Sequence, residues 1–235
     1  MIELPTRILL CGVSRSGKST LGDSLNARFG YQVSAFAEPL KQAAKVIFGF
    51  DEEHLYGPSE TREVPYPRFK FSGHCFECHE ECINLGSAGW YCPTCCAKYP
   101  RHITPRLALQ TLGTAWGRRL CPDIWAEACF AAMRPDRAYV VTDCRFSNER
   151  VAGRDHGGCV VLLQRGLEES HSPHPSEKEV RDAAAIPELF DVVLDNREGS
   201  PRENFGKLVD ALCQLDHNRR SVMKMRAFED REETR

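Results

Sequence analysis

Apolar residues along the chain follow two rhythms. RILLC (7–11), AYVVT (138–142), CVVLL (159–163) and DVVL (191–194) are short apolar runs and read as buried strands. YQVSAF (31–36) alternates apolar and polar residues and adds another strand. Between these runs the spacing becomes helical. From Lys18 onward, Leu21, Leu25 and Phe29 recur every four residues, and Gly30 stops the run. Residues 38–48 predict a helix with Pro39 tolerated in its first turn, and 105–120 and 122–133 predict two more. Residues 201–215 place Phe205, Leu208, Leu212 and Leu215 on one helix face. Strands alternating with helices predict an α/β fold: a parallel sheet of about five strands, covered by helices on both faces.

The rhythm breaks between 57 and 105. Pro58, Pro65, Pro67, Pro100 and Pro105 interrupt it, and cysteines cluster there. The chain therefore divides into a discontinuous α/β domain (1–56 and 105–216), an inserted module (57–104) and a charged tail (217–235). At 235 residues with 42% apolar content, the chain can bury a core. With 31 basic against 33 acidic residues, it is not a globally basic nucleic-acid binder. No apolar run is long enough for a membrane span, and the N-terminus reads as a strand, not a signal peptide. A reducing cytoplasm is expected, with cysteines as thiols or metal ligands.

GVSRSGKST (12–20) matches G-x-x-x-x-G-K-[ST] between a buried strand and an amphipathic helix. Gly12 and Gly17 permit a tight turn that aims backbone N–H groups, through Ser14, Arg15 and Ser16, at phosphate oxygens. The positive end of the following helix faces the same anion. Lys18 can reach the β- and γ-phosphates, the Ser19 hydroxyl can ligate Mg²⁺, and Thr20 follows on the first turn. No N-K-x-D guanine signature is present, and the chain is short for a helicase core, so a small kinase remains.

Phosphoryl transfer needs charge neutralisation and positioning. Asp143 ends a buried strand as a Mg²⁺-organising carboxylate does, although a helix N-cap is the plainer reading. DCRFSNE (143–149) brings Arg145, Asn148 and Glu149 to the same edge. Arg118 and Arg119 point in different directions on a helix, so one is expected at the site and the other in solvent. Glu38 and Lys41 follow the second strand, on the acceptor side, or form a surface ion pair. In HSPHPSEKEVR (171–181), Ser176 and Glu179 form a plausible capping box; the alternative is a mobile segment bringing Arg165 or Lys178 to the phosphates.

Cys75-x-x-Cys78 and Cys92-x-x-Cys95, 13 residues apart, have the spacing of a structural Zn²⁺ site. Cys82, Cys96, His74 and His79 are alternative ligands. The module either stiffens the protein or touches nucleic acid: Arg68, Lys70, Lys98, Arg101 and His102 supply positive charge, and Phe69, Phe71, Trp90 and Tyr91 could stack on bases. Glu77, Glu80 and Glu81 oppose the second use, and the structural role is preferred.

The phosphate loop, FAEPLK, PRLALQTLGTAWGR, DIW, TDCRFSNE, HPSE and LDNREGS occur in an order that resembles the bacteriophage deoxynucleoside monophosphate kinases. The resemblance implies a P-loop kinase fold and transfer of the ATP γ-phosphate, with Mg²⁺, to a small deoxynucleotide. It implies catalytic roles for Lys18, Asp143, Arg145 and Arg118, and nucleotide contacts along 12–20. It places Glu38, Lys41, Gln110, Arg119, Asn148 and Glu149 around the acceptor, and Asn196 near the adenine. The cysteine module departs from the simple members and leaves the acceptor open. A kinase of 5-hydroxymethyluracil in DNA and a zinc-bearing, nucleic-acid-binding ATPase are the alternatives. The assembly state is open too, with a homodimer among the options.

Overall fold

The computed structural model describes residues 4–168, 175–215 and 217. Strand β1 (Arg7–Cys11) runs through a loop into α1 (Lys18–Phe29), followed by β2 (Gln32–Ser34). Helices α2 (Glu38–Phe48), α3 (Glu52–Tyr56) and α4 (Ser59–Glu63) come next. Three two-residue strands follow: β3 (Ile83–Asn84), β4 (Trp90–Tyr91) and β5 (Lys98–Tyr99). Helix α5 (Pro105–Gln110) continues as a π-helix (Thr111–Arg118), and α6 is Ile124–Ala131. Then come β6 (Tyr139–Cys144), α7 (Ser147–Asp155), β7 (Cys159–Leu163), α8 (Pro175–Ala184), β8 (Val192–Leu194) and the helix α9 (201–215). Apart from His217, the expected charged tail lies outside the described residues, as do 171–174 of the expected loop.

By close contacts the chain forms two compact units: the described parts of Met1–Phe36 with Cys129–Arg235, and Ala37–Ala128. The first contains a parallel sheet of order β2-β6-β1-β7-β8. Strand β1 is central, with Ile8 beside Val140 of β6 and Cys159 of β7. The β1–α1–β2 crossover leaves β1 towards one edge and the β6–α7–β7 crossover towards the other. Because such crossovers are right-handed, α1 and α7 fall on opposite faces. Alternate β1 side chains register this. Ile8 and Leu10 pack in a buried cluster with Leu21 and Leu25 of α1 and Leu208 and Leu212 of α9. Leu9 turns the other way, against Gly153 of α7, where a Cβ has no room. Each such buried aliphatic side chain contributes about 1.5–3 kcal/mol. This is the arrangement of a P-loop kinase fold, with the carboxyl end of β1 at the point where the connections diverge.

The second unit contains α2 to α5, the π-helix and the small antiparallel sheet β3-β4-β5. Two small clusters hold it: Ala44, Phe50, Leu55 and Ala108, and Phe71, Cys75, Cys82, Cys92 and Tyr99. Its main departure from the sequence expectation is at 105–120, where one α-helix was expected and the second half is a π-helix. The Trp125 indole accounts for the departure. Its Nε1 donates to the Gly113 carbonyl at 2.9 Å, and its ring lies where a Cβ on Gly117 would approach to 2.5 Å. An inserted partner of this kind is a recognised cause of locally widened turns.

Candidate functional site

The loop after β1 is shaped by two glycines and one arginine. A Cβ on Gly12 would meet the Ser16 Oγ at 2.5 Å, so the chain folds back on itself there. Arg15 (φ 61°) and Gly17 (φ 95°) are left-handed, which curls successive N–H groups to one side, as in anion-binding nests. Ser16 is fully buried, whereas Ser14, Arg15, Ser19 and Thr20 are exposed. Lys18 is 8% exposed, and its ammonium donates to the carbonyls of Gly12 (2.8 Å) and Val13 (2.6 Å) and to Ser16 Oγ (3.2 Å). Burial pushes its pKa down to about 8; the nearby Arg145 adds to this, and Glu177 partly offsets it.

The end of β6 supplies the next groups. Asp143 Oδ1 accepts the Phe36 N–H at 2.7 Å, tying β6 to the segment after β2. Glu149 is 3% exposed, and its Oε2 accepts the N–H groups of Arg145 (2.8 Å) and Phe146 (3.0 Å), which caps α7. Asn148 is half-buried in the first turn of the same helix. Arg145 Nη1 donates to Glu177 Oε1 at 2.6 Å and to Ser176 Oγ at 3.2 Å. The Glu177 carboxylate also accepts the Ser14 N–H on both oxygens, at 2.9 and 3.1 Å. Glu179, half of the expected capping pair, accepts the Ser147 N–H at the start of α7. The Asn196 carboxamide is buried: its nitrogen donates to the Ser16 carbonyl at 2.8 Å, and its oxygen accepts the Arg165 N–H at 2.9 Å. Asn196 thus braces the phosphate loop.

The first unit therefore gathers 12–20, Asp143, Arg145, Glu149 and Asn196 at or beside one loop. Glu177, the last residue of the HPSE motif, was given no role by the sequence reading, which paired Ser176 with Glu179 as a capping box; no periodicity marks a carboxylate for burial. Arg150 was missed for the same reason: it is 5% exposed, and its Nη1 donates to the Arg145 carbonyl at 3.3 Å.

The remaining expected residues belong to the second unit. Glu38 Oε1 accepts from Tyr56 Oη and Gln42 Nε2, both at 2.6 Å. Lys41 Nζ lies 4.1 Å from the centre of the Tyr56 ring. Burial and the Glu38 carboxylate push the Tyr56 phenol well above its ordinary range. Gln110 is exposed at the end of α5 and Arg118 is half-buried at the end of the π-helix. Arg119 Nη1 lies 3.1 Å from His79 Nε2.

The same unit holds the cysteine module. The sulfurs of Cys75, Cys78, Cys92 and Cys95 all lie within 4.8 Å of one another. Cys75 and Cys95 are 3.4 Å apart, and Cys78 and Cys92 3.5 Å. A tetrahedral zinc with bonds of about 2.3 Å sets its sulfurs about 3.8 Å apart, so the donor set fits. The two knuckles repeat one design. His79 N–H returns to the Cys75 carbonyl (3.0 Å) and Cys96 N–H to that of Cys92 (2.9 Å). His79 (φ 65°) and Cys96 (φ 63°) are the left-handed residues that turn each knuckle back. Among the base-stacking candidates, Phe71 is corrected: it is 4% exposed and stacks on Tyr99 at 4.6 Å, inside the module's own core.

No family model matches the chain. It is 28% identical over 203 residues to a protein of Acanthamoeba polyphaga mimivirus named "Putative deoxynucleotide monophosphate kinase", covering 80% of this chain and 87% of that protein. Among the described residues, no helix is long and apolar enough to cross a membrane.

Proposed function

We propose that the protein is an ATP- and Mg²⁺-dependent nucleotide kinase. It transfers the γ-phosphoryl group of ATP to a deoxynucleoside 5′-monophosphate and releases ADP and the deoxynucleoside diphosphate. The observation that carries this reading is the phosphate loop at the carboxyl end of the central strand, turned by left-handed Arg15 and Gly17, whose carbonyls at Gly12 and Val13 hold a buried ammonium. The name of the mimiviral relative supports the acceptor class.

In this reading N–H groups of 12–20 other than that of Ser14, which Glu177 holds, meet the β- and γ-phosphate oxygens. Lys18 exchanges its carbonyl partners for phosphate, and Asn196 keeps the loop in shape through Ser16. Ser19, through its hydroxyl, and Asp143, through its carboxylate, would hold Mg²⁺, which would supply charge neutralisation at the phosphates. Arg145 and Arg118 stabilise the transferred group, while Glu38, Lys41, Gln110, Arg119, Asn148 and Glu149 serve the acceptor, directly or by positioning. Residues 57–104 act as an inserted module in a domain made of 1–56 and 105–216. In that module Cys75, Cys78, Cys92 and Cys95 hold a structural zinc, with no role in transfer. The protein works in the cytoplasm, on a small-molecule substrate.

The acceptor's phosphate oxygen is already anionic at pH 7, since a phosphomonoester's second ionisation lies at about pH 6. Its attack on the γ-phosphorus therefore needs no general base. The bond to the β–γ bridging oxygen breaks, and its electron pair leaves with ADP. A hydroxymethyl acceptor in DNA would need an alcohol proton removed. The test is labelled ATP with each deoxynucleoside monophosphate, with 5-hydroxymethyluracil DNA and with plain DNA. We expect label in a deoxynucleoside diphosphate. Label only in modified DNA overturns the acceptor, and hydrolysis stimulated by plain DNA without a labelled product overturns the kinase.

A further inference from the structure

The carboxylate of Glu177 is the strongest feature the expected mechanism leaves without a role. It is nearly buried, yet it spans two parts of the site: it accepts the Ser14 N–H on both oxygens and receives Arg145 Nη1 at 2.6 Å. The neighbouring Ser176 Oγ accepts from the same Nη1 at 3.2 Å, so two successive α8 residues fix one guanidinium nitrogen. The pair is asymmetric. The Glu177 side chain is 5% exposed and that of Arg145 is 30%, so the acid is sunk and the cation reaches outward.

A neutral amide or hydroxyl could accept the Ser14 N–H with less desolvation cost than a carboxylate. A charge is useful there because two cations converge: Lys18 and Arg145 repel each other, and Glu177 lies close enough to offset that repulsion. Both cations are wanted at one phosphoryl group, and each must be in place before the phosphate arrives.

We propose that Glu177 is a positioning residue that holds Arg145 against the phosphate loop, ready to meet the transferred phosphoryl group. The inference rests on the kinase reading above and adds to it the residue that sets where Arg145 points. Glu177 touches no reacting atom; it acts through the guanidinium.

The conservative variant Glu177→Gln keeps the size and an acceptor for Ser14 but loses the charge. We expect kcat to fall by about 10- to 100-fold, with KM for ATP and the melting temperature nearly unchanged. Glu177→Asp restores the charge and part of the rate. In an Arg145→Ala background, Glu177→Gln should cost nothing further. Wild-type kcat in Glu177→Gln, or additive losses in the double variant, would overturn the proposal. A second readout does not depend on turnover. Peptide mapping after phenylglyoxal treatment should show Arg145 modified several-fold faster in Glu177→Gln, because its partner is gone; an unchanged rate overturns the proposal. If the wild-type protein transfers phosphate to no deoxynucleotide, the kinase reading fails, and the phenylglyoxal result still decides whether Glu177 holds Arg145.

Discussion

At the scale of single residues, Lys18 carries the sharpest prediction. Its ammonium is buried among three acceptors, and its pKa is pushed down to about 8 from an ordinary 10.5. Lys18→Ala should lower transfer by about 10²- to 10³-fold while leaving the metal content unchanged. The pH dependence has two opposite signs. Phosphate prefers the charged amine, so nucleotide affinity should decline as pH rises through about 8. Stability behaves otherwise: the unfolded chain binds more protons between about 8 and 10.5, so Lys18 makes stability rise with pH across that window. Nucleotide titrations and thermal melts from pH 7 to 10 would separate the two, and a flat affinity profile would contradict the assignment. Lys18 was legible because glycine spacing, flanking strand and flanking helix all point to one loop. Glu177 was not, because its burial comes from α8 packing on that loop, which no local pattern encodes. Asn196 was picked out, but its bond to the Ser16 carbonyl depends on two segments 180 positions apart in sequence.

At the scale of elements, the five strands of the parallel sheet were legible, four as apolar runs and β2 from its alternation, to within a few residues at their ends. The π-helix was not, because apolar spacing over eight residues barely separates it from an α-helix. Its cause is a ring that arrives from α6. The contrast between two helical glycines tests this. On Gly117 a Cβ would meet Trp125 carbons at 2.5 and 2.8 Å, and that indole is 7% exposed with its Nε1 already bonded. Overpacking costs about 1–3 kcal/mol and outweighs the helix-propensity gain of about 1 kcal/mol. Gly117→Ala should therefore destabilise the protein. Gly206, within α9, has nothing within 4 Å of its would-be Cβ. Gly206→Ala should stabilise by up to about 1 kcal/mol. Urea unfolding of both variants checks the pair, and a shared sign would defeat the argument.

At the scale of the whole molecule, the two units draw stability from different sources. The unit with the parallel sheet has a large aliphatic core running from Ile8 to Leu212. The cysteine module has only a small cluster around Phe71, Cys92 and Tyr99, and strands of two residues each. Such strands cannot stand alone. If Cys75, Cys78, Cys92 and Cys95 hold zinc, the metal supplies folding free energy on the order of 10 kcal/mol to this small cluster. Removing it should unfold the module and spare the phosphate loop, whose bonds to Lys18, Glu177 and Asn196 all lie in the other unit. Hydrogen exchange with a strong chelator provides the measurement. Deuterium uptake should rise sharply over 71–102 and stay level over 7–29, with Cys75→Ser reproducing the pattern without chelator. Equal loss of protection at β1 and α1 would mean that the sheet leans on the metal, and the module would then be part of the fold's foundation, not an insertion.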